Sequence, residues 1–157
     1  MTQSKPRSKS MRILLWIGAV LGGLVLVSAI FMTVMMAMNP VPTDLDTSTT
    51  RSSDNGLFRV SYSPSSGTIP VNQMHQRTLH VETADGQPVE NATITLDGDM
   101  PQHGHGLPTR PQVTEYLGNG DYLVEGLKFQ MGGWWVMDFV ITVQGQSDTV
   151  QFNMMLE

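Results

Sequence analysis

The chain has 157 residues, 40% of them hydrophobic, with nine basic and fourteen acidic side chains and no cysteine. That length holds one domain plus an appendage. The missing cysteines exclude disulfides, thiolate ligands and cysteine-type structural zinc, and the formal charge of −5 argues against nucleic acid as a partner.

The appendage comes first. From Ile13 to Met38 no residue is charged. At about 1.5 Å per residue this stretch exceeds the ~30 Å hydrocarbon core of a bilayer, so residues 13–38 are predicted to form a transmembrane helix. Gly18 and Gly22 within it form a GxxxG, a weak signal for a helix partner. Lys5, Arg7, Lys9 and Arg12 make residues 1–12 a basic tail, whereas Asp44 and Asp46 follow the span. The positive-inside rule then leaves the amino terminus in the cytoplasm and exports the remainder, as a single-pass protein of the inner (plasma) membrane with a periplasmic or otherwise extracytoplasmic domain. A cleaved signal peptide is the competing reading, but the apolar run is longer than a signal core and no clear A-x-A site follows it. The exported part holds five basic and fourteen acidic residues, a formal charge of −9.

Residues 39–56 are rich in Pro, Thr, Ser and Asp without apolar periodicity, and read as a flexible linker that holds the domain off the membrane. Residues 57–157 change texture. Short runs rich in Val, Ile, Thr and aromatics alternate with Gly, Pro, Asn and Asp, which predicts strands near 57–63, 76–84, 91–97, 112–117, 121–129, 134–144 and 148–155. The sixth is the strongest, with Trp135, Met137, Phe139, Ile141 and Val143 on one face. Seven such strands in about a hundred residues predict an all-β, immunoglobulin-like β-sandwich. Leu117-Gly-Asn-Gly-Asp-Tyr122 resembles the tyrosine corner of such folds, in which the phenol bonds backbone upstream.

The candidate site is the stretch Met100 to Pro111, MPQHGHGLPTRP. In an extended segment His103 and His105 point to one side, and Gly104 and Gly106 allow the backbone to bend so that the imidazoles converge. Met100 can join from the start of the loop and Met131 from the turn before the sixth strand. Copper accepts imidazole in both oxidation states and, when reduced, thioether, so Met100, His103, His105 and Met131 are the predicted metal ligands, and copper the predicted cofactor. The competing account is a surface loop whose histidines bond backbone carbonyls or stack on Trp134, with Met100 and Met131 filling gaps in the core. Met74 and His75 read as loop, His80 as exposed on its strand, and Met32, Met35, Met36 and Met38 as apolar helix.

Several phrases resemble the YtkA-like and FixH-like family: Asp85-Gly-Gln-Pro-Val-Glu-Asn-Ala92, the MPQHGHG loop, Gly120-Asp-Tyr-Leu-Val-Glu-Gly126, and Phe129, Met131, Gly133 and Trp135 as an F-x-M-x-G-x-W turn. The similarity runs from about Leu57 to the end. It implies an immunoglobulin-like exported domain, in some members with copper-handling character, and the FixH name points towards assembly of a copper-containing oxidase. No Ser/His/Asp order, nucleophile elbow, paired-carboxylate motif or phosphate-binding loop is evident, so no enzymatic activity is expected. The expected function is copper binding or delivery to a recipient protein. The alternative is a metal-free accessory or interaction module of a membrane protein complex.

Overall fold

In a computed structural model of the chain, residues 9–64 and 68–157 are described; Lys5 and Arg7 of the basic tail lie outside them. The first element is a helix, α1, Lys9–Met38, with no buried residue along its length. A helix that is apolar all round and uncovered is suited to lipid, and its 30 residues are enough to cross a bilayer. Its end is capped by Asn39, whose backbone N–H and side-chain amide both donate to the Met35 carbonyl, at 3.0 and 3.2 Å. Gly18 and Gly22 face open space.

Among the described residues nine strands follow: β1 Thr50–Ser52, β2 Phe58–Pro64, β3 His75–Thr83, β4 Thr93–Met100, β5 His105–Gly106, β6 Gln112–Gly118, β7 Asp121–Leu127, β8 Gly133–Val143 and β9 Gln146–Leu156. They form two antiparallel sheets, ordered β1-β2-β3-β7-β6 and β5-β4-β8-β9. The arrangement β2-β3-β7-β6 over β4-β8-β9 is the four-on-three immunoglobulin-like sandwich, widened at the edges by β1 and β5. All seven predicted strands are present. The two further ones are too short to show a period.

Alternation in sequence becomes the core. Leu79 and Val81 of β3 and Trp135, Met137, Phe139 and Ile141 of β8 have no exposed surface. Tyr62, Phe139 and Phe152 form a triangle with centroids 5.7 to 5.9 Å apart that joins the sheets. The Tyr122 hydroxyl donates to the Val89 carbonyl at 2.8 Å and accepts from the Ala92 N–H at 3.1 Å. The phenol therefore does return to upstream backbone. It reaches some thirty residues back, however, and ties the β3–β4 crossover to β7 instead of closing a local corner.

The stretch read as a linker is held to the sandwich over much of its second half. β1 pairs with β2, the Tyr62 N–H donates to the Thr49 carbonyl at 2.7 Å, and the Asn153 amide donates to the Asp46 carbonyl at 3.2 Å. Asp148 of β9 anchors the next turn: it accepts from Ser53 Oγ at 2.6 Å, from the Asn55 N–H and side-chain amide at 3.1 and 2.9 Å, and from the Leu57 N–H at 3.2 Å. Ser53 and Asn55 of that stretch, which suggest solvation in sequence, serve here as hydrogen-bond donors to Asp148 of the sandwich, and Ser48 pairs with Asp46.

Candidate metal site

β4 and β5 form a short hairpin at one end of the sandwich, with Asp99 opposite Gly106 and Met100 opposite His105. Its turn is closed by the His103 and Gly104 N–H groups, which both donate to the Met100 carbonyl at 2.9 Å. Gly104 has φ +64°, a left-handed conformation that glycine adopts freely, and a Cβ there would lie 3.0 Å from Cε of Met35. The last turn of α1 thus abuts the hairpin. Met35, read as plain apolar helix, is half-buried where most of the helix is exposed.

The two predicted histidines come together. Their ring centroids are 5.7 Å apart with planes inclined by 32°. With metal–nitrogen bonds of about 2 Å, two imidazoles sharing one ion have centroids roughly 5 to 6 Å apart, so the spacing suits a shared ion. His103 Nδ1 is buried and has no hydrogen-bond partner. His105 rests edge-on against Trp135, centroids 6.3 Å apart, whereas Trp134, the partner considered from sequence, donates from Nε1 to Asn153.

The methionines are arranged differently. Residues directly opposite in an antiparallel ladder project to the same face, which puts Met100 beside His105. Met100 is fully buried beneath the hairpin, and a Cβ on Gly133 would meet its Cε at 3.1 Å. Met131 is partly buried, its side chain packed against the edge of the core and its carbonyl accepting from Trp135 Nε1 at 3.1 Å. The pairing therefore sets Met100 opposite His105, with its side chain part of the hydrophobic core, while Met131 is connected to His105 only through Trp135, which donates to its carbonyl. Among the described residues no three His, Asp or Glu side chains converge as a metal cluster.

Sequence reasoning missed Gln130. It lies on the crossover from β7 to β8, and its Nε2 donates to His105 Nδ1 at 2.9 Å and to the Gly106 carbonyl at 3.2 Å, while its Oε1 is buried without a partner. The signal was faint: a polar residue between Phe129, which packs at 5.1 Å on Trp135, and Met131. His75 stands beyond Phe129, ring to ring at 5.4 Å. Burial depresses its pKa, the hydrogen bond to the Gln73 carbonyl opposing that effect. His80 is not simply exposed. It contacts Asp121 at 2.6 Å and Glu82 at 3.2 Å, and although partial burial works against the cation, these carboxylates leave its pKa raised. Asp138 faces outwards and accepts from Gln151.

Fold and site together define a class: an immunoglobulin-like β-sandwich carried on one apolar helix, with a paired-histidine hairpin at the end nearest that helix. The chain belongs to the YtkA-like family, whose profile matches residues 52–139, more than half of the sequence. The match takes in the hairpin, Gln130 and Trp135. No curated protein and no solved structure matches the chain.

Proposed function

We propose that this protein is a single-pass, extracytoplasmic copper-binding or copper-delivery module in which His103 and His105 hold the ion. The observation that carries the reading is the pair of imidazoles 5.7 Å apart, one with a buried and unpartnered nitrogen. A buried polar atom left without a partner is costly, and a metal is one way to satisfy it. Met100 lies within the same hairpin as a thioether for reduced copper, and Met131 is a supplementary donor at the Trp135 edge.

Gln130 has a defined part in this reading. Its amide N–H occupies His105 Nδ1, which leaves the ring proton on Nε2. A metal held at Nε2 would require the ring proton at Nδ1, where Gln130, with its amide turned over, would accept it at Oε1, which is buried without a partner. Outer partners of this kind orient imidazole ligands and raise their basicity. No step here is catalytic, and orientation with the domain outside follows from the basic residues preceding the helix.

The test is titration of the full chain in detergent micelles with Cu(I), against a competing chelator, and with Cu(II). The expected result is one equivalent bound by the native chain and at least about a hundredfold weaker binding by His103→Ala and His105→Ala, the loss of a ligand exceeding the roughly ten- to hundredfold effect of an outer partner. No stoichiometric binding by the native chain, or variants that bind as it does, would end the reading. A membrane partner captured equally by both variants would favour the metal-free accessory module instead.

A further inference from the structure

β3 carries a charge on the wrong face. Its inward positions run Arg77, Leu79, Val81, and Arg77 is as buried as its neighbours, with only 3% of its surface exposed. Among the described residues no carboxylate forms an ion pair with it, and its Nε is buried without a hydrogen-bond partner. Its nearest compensation is the Tyr62 ring, whose centroid lies 5.2 Å from the guanidinium carbon. A ring quadrupole attracts a cation but supplies no opposite charge. Arginine cannot escape by losing its proton, and buried charges in proteins are as a rule paired.

The second partnerless group is beside it. Tyr62 is also 3% exposed, and its hydroxyl is buried with nothing to bond. Burial pushes the phenol pKa up, only partly offset by the Arg77 charge, so the hydroxyl keeps its proton and can donate. Both side chains line one cavity of about 80 Å³, whose other walls are Ile69, Phe152, Asn153, Met154 and residues 47–49, with mostly apolar surface.

We propose that this cavity is an anion site for a small monocarboxylate with a short apolar stem, gripped by Arg77 and Tyr62. The planar guanidinium presents parallel N–H donors that match a carboxylate, and the phenol adds a third. The apolar walls suit a methyl or ethyl stem and disfavour a strongly hydrated phosphate or sulfate. The volume is well below the roughly 150 Å³ of a cavity that takes benzene, which limits the ligand to a few heavy atoms. The acidic exported domain, at −9, also disfavours multivalent anions. The site is separate from the histidine hairpin and stands whether or not copper binds there.

The experiment uses the full chain in micelles, with ¹³C-carboxyl propionate followed by NMR and thermal unfolding followed in parallel, against sodium chloride at matched ionic strength. Saturable propionate binding with a rise in Tm is expected. Arg77→Met, which keeps the stem volume and removes the cation, should weaken it by at least about tenfold, and Tyr62→Phe, which keeps the ring, by about three- to tenfold, as for loss of hydrogen bonds to a charged group. Should Arg77→Met not fold, Tyr62→Phe alone decides. Absence of saturable binding means that the cavity holds only water and overturns the proposal. So does an equal effect of chloride, or unchanged affinity in a folded variant.

Discussion

Asp148 offers the sharpest quantitative test of how the sandwich is joined to the segment that leads from the membrane. The residue is 3% exposed. Burial works against its charge, but hydrogen bonds from Ser53, the Asn55 and Leu57 backbone and the Asn55 side chain outweigh that effect and hold the carboxyl at about 2 against an ordinary 3.8. A carboxyl with a depressed folded-state pKa contributes stability that is full above its unfolded value and lost as pH falls towards its folded value. The difference between those values corresponds to about 2 kcal/mol, present in full at pH 7, declining as pH falls through about 4 and lost only below about pH 2. Asp148→Asn keeps the shape and removes the charge, so it should lower stability by about 2 kcal/mol at pH 7 and by roughly a third of that at pH 2.5. Urea unfolding of the full chain in micelles, read by tryptophan fluorescence at pH 7, 4 and 2.5, gives the difference between native and variant. Asp46 and Asp85, also depressed, titrate in both proteins and cancel. A native-minus-variant difference that stays constant from pH 7 to 2.5 would refute the assignment of the stabilisation to the ionised carboxylate.

Two further outcomes follow from the same structure. Phe139→Ala removes a ring with no exposed surface, in contact with Tyr62 and Phe152, and should cost about 3 to 5 kcal/mol in the same assay; a loss below about 1 kcal/mol would contradict its place in the core. Gln130→Leu leaves both histidines present but removes the partner of His105 Nδ1, and should weaken copper binding by about ten- to a hundredfold with little change in urea midpoint. Unchanged affinity would show that Gln130 only packs.

What was legible in the sequence was periodic. Period two in residues 76–84, 91–97 and 134–144 marked strands whose inward residues are now the core, because alternation is a direct consequence of the pleat. The histidine pair was legible too, since two residues at i and i+2 flanked by glycine have few ways to diverge. Contacts between segments distant in sequence were not legible. Gln130 acts across the fold on His105, twenty-five residues away, and Asp148 collects donors from residues more than ninety positions earlier. No local pattern encodes either. Arg77 is an intermediate case: the alternation that predicts Leu79 and Val81 inside also predicts Arg77 inside, but a single charge at a strand end reads as a surface residue until its burial is seen.

The helix belongs to the same argument. A flexible linker would leave the sandwich free of the membrane, but the chain from Asp46 onwards is bonded to β2 and β9, and Met35 in the last full turn of α1 meets Gly104 between the two histidines. A short tether of this kind fixes which end of the sandwich lies next to the apolar helix, and that end is the one carrying His103 and His105. Under the copper delivery proposed above, this placement would bear on transfer to a partner as well as on affinity. Transfer requires donor and acceptor ligands to approach within a few ångströms, and a tethered site meets its partner at a local concentration set by geometry and not by diffusion through the compartment.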